Sequence, residues 1–239
     1  MQTRVEPRRV VVIEHEPDCP LDRFGGWLRG VEIEVVRPYA GDDVPGYVRD
    51  GLIVLGGQMS AYDDGVAPWL PAVRSLMARS AADGVPTLGI CLGAQLLGVA
   101  CGGRVDVGAA PGRESGVIDV RWRPEAASDP LVAGLADPFP GPSMHADAVV
   151  DLPPDSTWLG LSPMYPHQAF RVGSAAWGVQ FHPEVSLPTF AAWALEHPEV
   201  DVEAVTTEFK RRDGEIAAAS RVLAGRFADR VAGTATRVS

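Results

Sequence analysis

The sequence predicts an α/β fold in which helices flank a mostly parallel central sheet, with an antiparallel extension in the second half. Two observations lead to this prediction. In residues 10–100, short apolar runs alternate with segments of helical periodicity, a pattern typical of parallel, right-handed β-α-β units. In residues 104–181, short strand-like pieces follow one another with turn residues between them, which is typical of antiparallel strands.

Each element of the first half is predicted from its own pattern. Val10–Ile13 is a β-branched run typical of a buried strand, and Val31–Val36 alternates as a half-buried strand does. Residues 70, 73, 76 and 77 place apolar side chains on one face of a helix. The predicted strands are 10–13, 31–36, 52–55 and 85–90, and the predicted helices are 21–28, 68–82 and 92–100.

The second half is predicted to contain strands at 104–107, 116–122, 148–151, 156–161, 169–172 and 176–181, a loop at 138–142 and a helix at 188–196. The tail from Asp201 carries apolar residues at helical spacing and is predicted to be a helix docked on the body. A partner-binding helix is the alternative, and Gly214 argues against one uninterrupted helix. We therefore expect one domain at 1–198 and a helical extension packed on it at 199–239.

Composition excludes several classes of protein. The chain has 239 residues and a net charge of -10, and this acidic balance argues against nucleic acid as the main partner, because phosphate binding needs clustered Lys and Arg. No run approaches the ~18 apolar residues of a membrane helix, and the polar N-terminus does not resemble a signal peptide. Three cysteines do not make a disulfide framework. A reducing cytoplasm is therefore expected, with Cys101 in the core and Cys19 in a loop.

The sharpest local feature is the turn around Cys91. Gly89-Ile-Cys91-Leu-Gly93 follows a predicted strand and precedes an apolar helix, as a nucleophile elbow does. Glycine two residues to either side removes side chains that would crowd the turn and the approaching substrate. The helix N-terminus favours a thiolate, and the N–H of Leu92 would point to a developing oxyanion. Cys91 is therefore predicted to be a nucleophile.

A thiol nucleophile needs a base and a group that orients the base. The candidate bases are His15, His145, His167, His182 and His197. We favour His182 because it follows a predicted strand and because Glu184, two residues later across a proline, can turn its carboxylate onto the imidazole.

Together these motifs resemble those of the class I, or triad-type, glutamine amidotransferase family. The resemblance runs from about residue 10 to 196 and is closest to stand-alone members similar to the glutaminase domain of GMP synthase. The matching segments are Gly89–Gln95, Gly178–Glu184, Gly56–Ser60 with residues 62–64 and 68–70, His145–Asp147 with residues 152–154, and Gln168–Arg171. The resemblance implies a flavodoxin-like sheet and an enzyme without metal or other cofactor.

The resemblance also implies roles for individual residues. Cys91 would attack the γ-carboxamide of glutamine, His182 would act as base and then acid, and Glu184 would orient His182. The backbone N–H groups of Gly57 and Leu92 would form the oxyanion hole. Substrate-binding positions would be Gln95, Gly56, Gln58, His145 and Asp147.

Some positions leave alternatives open. Gln58 and Met144 depart from the family pattern, in which proline and tryptophan are expected, so the shape of the pocket is not implied by the resemblance. His145 and Asp147 could line the pocket or be structural. Glu14 and Glu16 could face the same edge of the sheet, but we expect solvated loop carboxylates.

Two enzymatic functions fit the motifs. The first is a glutaminase that delivers ammonia to a separate synthetase, because the chain has no nucleotide signature or room for a synthetase domain. The second is a free-standing γ-glutamyl hydrolase or peptidase with the same triad. A non-catalytic binding protein on this fold is the third hypothesis, and the intact triad argues against it.

Overall fold

The computed structural model describes residues 7–233. Residues 1–6 of the predicted domain and residues 234–239 of the predicted helical extension lie outside the described residues. The strands are β1 (Arg9–Ile13), β2 (Glu32–Val36), β3 (Gly51–Val54), β4 (Thr87–Ile90), β5 (Arg104–Asp106), β6 (Glu114–Trp122), β7 (Phe139–His145), β8 (Ala148–Asp151), β9 (Ser156–Leu161), β10 (Ala169–Val172) and β11 (Ala176–Val179). The helices are α1 (Phe24–Trp27), α2 (Leu70–Ala82), α3 (Leu92–Ala100), α4 (Leu187–Leu195) and α5 (Val202–Ala232), with short 3-10 helices at Pro38–Ala40 and Pro124–Ser128.

Nine of these strands form one sheet in the order β2-β1-β3-β4-β11-β10-β9-β6-β7. The first five are parallel to one another and the remaining pairs are antiparallel. β5 and β8 form a separate antiparallel ribbon. The predicted fold class, a mostly parallel sheet with an antiparallel extension, is therefore confirmed.

Helices cover both faces of the parallel strands, because alternate residues of a strand point to opposite faces. On one face, Leu52 and Val54 pack with α2 and α3. On the other face, Ile53 and Leu55 belong to a cluster that includes α1 and α5. Residues 10–13 and 51–54 are buried throughout, which explains why their sequences are continuous apolar runs.

The tail is one helix of 31 residues, α5, so Gly214 does not interrupt it. The carboxylate of Asp201 accepts a hydrogen bond from the N–H of Ala204 and caps the N-terminus. Gly233 ends the helix in a left-handed conformation with φ of 71°. Phe209, Phe227 and their apolar neighbours pack against the body, which outweighs the low helix propensity of a single glycine.

Two predictions of elements were wrong or too long. Residues 138–142 were expected to form a loop, but Phe139–His145 is a strand, β7. β7 lies at the edge of the sheet, where prolines at 140 and 142 interrupt no second ladder. The helix expected at 21–28 shortens to the four residues of α1, two of which are glycine.

Within residues 7–233, no helix combines the length and the hydrophobicity that crossing a membrane requires.

Candidate active site

The candidate site lies at the carboxyl edge of the parallel strands, where open α/β sheets bind ligands. Cys91 joins β4 to α3 and has φ of 52° and ψ of -107°, a conformation that is strained for a residue with a side chain. Its N–H donates to the carbonyl of Val179 at 2.8 Å, so the strain is held by the neighbouring strand. The strained turn predicted for this position is present.

The two glycines of the turn are required by backbone contacts. A Cβ at Gly89 would lie 2.4 Å from the carbonyl oxygen of Gly93. A Cβ at Gly93 would lie 2.0 Å from the carbonyl oxygen of Val54 on β3. Both distances are shorter than real Cβ contacts, so the glycines allow α3 to start directly against the sheet. The close neighbours are protein backbone atoms rather than an approaching substrate.

His182 and Glu184 follow β11 on the same edge. The Nδ1 atom of His182 lies 2.7 Å from a carboxylate oxygen of Glu184, and both residues are buried. Burial lowers the pKa of His182, but the negative charges of Glu184 and Cys91 and hydrogen bonds to both residues outweigh it and raise that pKa to about 10. The surroundings of His182 therefore favour the protonated imidazole, which lies beside Cys91 in the site.

A cavity of about 130 Å³ contains this group. Cys91 and His182 lie in its wall, and the ring of Trp193 packs on His182 with ring centroids 4.6 Å apart. Pockets for drug-sized ligands are roughly 300–1,000 Å³, so this cavity suits a much smaller molecule. The other predicted site residues that line it are Gly57, Gln58, Gln95, His145 and Asp147.

The loop after β3 runs past the nucleophile. A Cβ at Gly56 would lie 3.0 Å from His182 Cε1 and 3.7 Å from Cys91 Cβ. A Cβ at Gly57 would lie 2.9 Å from the side chain of Leu92. The loop continues into Gln58, whose backbone N–H donates to Glu16 at 2.8 Å and whose side chain bonds to Glu196. Gly57 and Leu92, the predicted oxyanion pair, are thus neighbours beside Cys91.

Gln95 and the segment 145–147 meet on the other side of the cavity. Gln95 Nε2 donates to the carbonyl of Asp147 at 3.0 Å, and His145 Nδ1 lies 3.0 Å from the same oxygen. The Asp147 carboxylate accepts from the N–H of Gly108 at 2.9 Å. His145 and Asp147 therefore line the cavity and also hold its wall, so the two alternatives considered for them are compatible.

A buried carboxylate that the sequence analysis did not identify, Glu114, holds His145 from behind. It lies 3.2 Å from His145 Nε2 and accepts hydrogen bonds from Ser162 at 2.5 Å and Gln168 at 2.6 Å. These partners are 31 to 54 residues away in the chain, so no local motif joins them. The neighbouring Arg113, also missed, lines the cavity itself.

Three of the other candidate histidines differ from His182 in their partners and in the direction of their pKa shift. His15 Nδ1 accepts a hydrogen bond from the indole of Trp69, and burial lowers its pKa to about 4. His167 Nδ1 lies 2.9 Å from the carbonyl of Val149, and burial lowers its pKa as well. His197 lines the cavity at its α4 end, and burial is the first cause of its lowered pKa.

The expectation of solvated loop carboxylates was wrong for Glu14, which is buried and bonds to Arg37 and Tyr39. Glu16 is half-buried and accepts a hydrogen bond from the Gln58 backbone N–H. Cys19 lies in the loop between β1 and α1, as expected, and its side chain is buried in the cavity wall. Cys101 was expected in the core and is half-buried at the end of α3. Burial and the nearby Glu16 raise the pKa of Cys19.

The sequence of the chain is similar to those of known proteins. The family model described as glutamine amidotransferase class-I matches residues 26–198. The chain is 36% identical over 137 residues to glutamine-hydrolyzing GMP synthase of Streptococcus pneumoniae, a match that covers 56% of this chain and 24% of that protein. The chain thus spans about a quarter of the length of the curated relatives it matches.

Solved structures match over nearly the whole chain. A glutamine amidotransferase from Thermotoga maritima superposes with a TM-score of 0.81 at 26% identity, covering 94% of this chain and all of that one. A glutamine amidotransferase from Methylobacillus flagellatus superposes with a TM-score of 0.81 at 27% identity, covering 98% of both chains.

Proposed function

The chain belongs to the glutamine amidotransferase class-I family, and from this premise we propose that it hydrolyses the γ-amide of glutamine at Cys91 and delivers the ammonia to a separate synthetase. One observation carries the proposal: a cysteine in a strained turn shares a small cavity with a histidine that is bonded to a buried carboxylate. A cavity of about 130 Å³ favours glutamine over a larger γ-glutamyl substrate.

The proposed reaction has two halves. The Cys91 thiolate attacks the γ-carbonyl carbon, the C–N bond breaks, and protonated His182 gives its proton to the departing amine, so ammonia leaves and a γ-glutamyl thioester remains. Water then attacks the thioester while His182 takes a proton from it, and the C–S bond breaks to release glutamate. The net change is glutamine plus water to glutamate plus ammonia.

Glu184 is proposed to orient His182 and to stabilise its positive charge. Its carboxylate bonds to His182 at 2.7 Å, and its other oxygen has no hydrogen-bond partner among residues 7–233. The carboxylate is therefore committed to the imidazole, as an orienting group requires.

The backbone N–H groups of Gly57 and Leu92 are proposed to receive the oxyanion that forms during both attacks. Leu92 is the first residue of α3, where backbone N–H groups have no partner within the helix. The hydrogen bond between the Gln58 N–H and Glu16 supports this role for Gly57 because it holds the adjoining peptide. Gly56, Gln58, Gln95, His145 and Asp147 would shape the pocket around the glutamine.

We also propose the division into an amidotransferase domain at 1–198 and a helical extension at 199–239. The family match ends at residue 198, which supports this boundary. The cytoplasm is the proposed location, because the cysteines are unpaired and a reducing compartment keeps a thiol nucleophile free.

The proposal is tested by labelling with an electrophilic glutamine analogue, followed by mass spectrometry of the modified residue. Labelling at Cys91 that glutamine blocks is the expected result, together with release of glutamate and ammonia from glutamine. Cys91→Ala should abolish both, and the matched control Cys101→Ala should retain both. Protection by a γ-glutamyl peptide and not by glutamine would instead support the hydrolase alternative. No labelling with or without a cell extract would contradict both enzymatic functions.

A further inference from the structure

Arg113 occupies a distinctive position in the wall of the candidate cavity. It is the one Arg or Lys among the described residues that line this cavity. Its side chain is 21% exposed, and its Nε atom donates to the carboxylate of Glu199 at 2.7 Å. The next residue, Glu114, is buried in the network behind His145, so the backbone at Arg113 is anchored.

The rest of the guanidinium is available to a ligand. Within residues 7–233, no protein acceptor is bonded to the two terminal nitrogens, Nη1 and Nη2. Its positive charge acts on another residue of the cavity wall, because Arg113 contributes, after burial, to lowering the pKa of His197. Because Glu199 occupies Nε, the two terminal nitrogens remain as a pair with the geometry that a carboxylate accepts bidentately.

The charges around the cavity favour Arg113 as the partner of an anionic ligand group. The carboxylates of Glu196 and Asp147 also line the cavity and would repel a second carboxylate. The His182 imidazolium is paired with Glu184 and lies beside the nucleophile. Arg113 is therefore the lining residue suited to a carboxylate at the other end of a ligand whose reacting amide is at Cys91.

We propose that Arg113 binds the α-carboxylate of the substrate and thereby restricts this site to γ-carboxamides with a free α-carboxylate. The proposal rests on the proposed glutamine hydrolysis and names the substrate class of that same site. Free glutamine belongs to this substrate class. Glutamine α-amide, in which the α-carboxylate is replaced by a neutral amide, does not belong to it.

The test compares kcat and KM for glutamine and for glutamine α-amide in the wild type, Arg113→Met and Arg113→Lys. The wild type should prefer glutamine by about 10- to 100-fold in kcat/KM, the value of a hydrogen bond between charged groups. Arg113→Met should remove that preference by raising KM for glutamine, with kcat changed little and the α-amide unaffected. The preference of Arg113→Lys for glutamine should lie between those of the wild type and Arg113→Met, because lysine keeps the charge but lacks the paired donors.

The matched control is Arg104→Met, since Arg104 is an exposed arginine that pairs with Asp106 and Asp151 and does not line the cavity. It should leave both substrates unaffected. Equal losses for glutamine and its α-amide in Arg113→Met would show a structural role for the Arg113–Glu199 pair and would overturn the proposal. An unchanged preference would overturn it as well.

Labelling separates this proposal from the failure of glutamine hydrolysis. Iodoacetamide has no carboxylate and reports the Cys91 thiol, whereas an electrophilic glutamine analogue with a free α-carboxylate reports the pocket. If the wild type does not turn over glutamine, hydrolysis is wrong, but analogue labelling should still slow at least about 10-fold in Arg113→Met while iodoacetamide labelling stays the same. Equal slowing with both reagents, or none, would overturn the role of Arg113. If Arg113→Met does not fold, the same comparison in Arg113→Lys decides.

Discussion

At the scale of single residues, the charge of His182 depends on its two neighbours. Burial alone would leave the imidazole neutral, and only the nearby Glu184 and Cys91 raise its pKa to about 10. The protonated imidazole can then stabilise a thiolate at Cys91. The proposed chemistry therefore depends on Glu184, which need not contact the substrate.

Glu184→Gln tests this dependence. The pKa of His182 should fall because burial persists while one negative charge is lost. We expect iodoacetamide to label Cys91 at pH 7 at least about 10-fold more slowly, and turnover to fall by about 100-fold or more. The control Glu203→Gln, at an exposed position in the first turn of α5, should match the wild type. Unchanged labelling and turnover in Glu184→Gln would contradict the orienting role.

The raised pKa of His182 also predicts how stability depends on pH. A histidine of ordinary pKa, about 6.5 when unfolded, binds its proton more tightly in the folded state. The folded state therefore gains a contribution that is fully present below about pH 6.5 and is lost as pH rises through about 10. Urea unfolding at pH 6.5, 8 and 10 should show a steeper decline for the wild type than for His182→Gln. Parallel declines would contradict the raised pKa.

Glu114→Gln tests the buried network behind His145. The amide would place N–H donors against Ser162 and Gln168, which themselves donate to Glu114. We expect the free energy of unfolding to fall by about 2–3 kcal/mol. Glu125→Gln, in an exposed 3-10 helix, should change it by less than about 0.5 kcal/mol. Equal stabilities of the two variants in urea would show that the network is not stabilising.

At the scale of elements, glycines have opposite effects in α3 and α5. Gly93 lies where α3 touches β3, and a Cβ there would meet the backbone of Val54. Gly214 lies on α5, and a Cβ there would have no atom within 4 Å apart from those of its own helical turns, so its cost is only low helix propensity. The same substitution therefore tests packing in one helix and propensity in the other.

Gly93→Ala should destabilise the protein by about 3 kcal/mol or more, because a backbone contact has to move. Gly214→Ala should stabilise it by about 0.5–1 kcal/mol. Urea unfolding followed by circular dichroism measures both. A neutral Gly93→Ala would mean that α3 does not start directly against β3.

At the scale of the whole molecule, α5 lies outside the matched family region but inside the hydrophobic core. Phe209, Ile216, Leu223 and Phe227 are fully buried against the body. Burying four such side chains stabilises the fold by roughly 6–12 kcal/mol. That range is comparable to the total stability of a domain, about 5–15 kcal/mol.

A chain truncated after Val200 should therefore fail to fold, although it keeps every proposed catalytic residue. The expected result is loss of the cooperative unfolding transition, and of Cys91 labelling by the glutamine analogue. In the full chain, Phe227→Ala should cost about 3–5 kcal/mol, whereas Val222→Ala, at a half-exposed position of the same helix, should cost much less. A truncated chain that unfolds cooperatively would show that α5 is dispensable.

Much of the fold could be predicted because its signals are local. The bounds of α3, β8, β9 and β10 agree with the sequence analysis, since hydrophobic periodicity and turn residues are properties of neighbouring positions. The continuity of α5 and the strand at 139–145 could not be predicted in this way. Gly214 disfavours a continuous helix, but the packing of α5 against the body outweighs this effect. Pro140 and Pro142 disfavour a strand, but β7 lies at the edge of the sheet and tolerates them.

The candidate site also combines features that local sequence predicts with features that depend on the tertiary structure. The turn at Cys91 and the pairing of His182 with Glu184 follow from residues within a few positions of each other, so the sequence alone could identify them. The convergence of these two motifs, the network around Glu114 and the position of Arg113 in the cavity depend on which strands are adjacent. Adjacent strands bring together residues up to 89 positions apart, such as Cys91 and Gln180, and no local sequence pattern predicts which strands are adjacent.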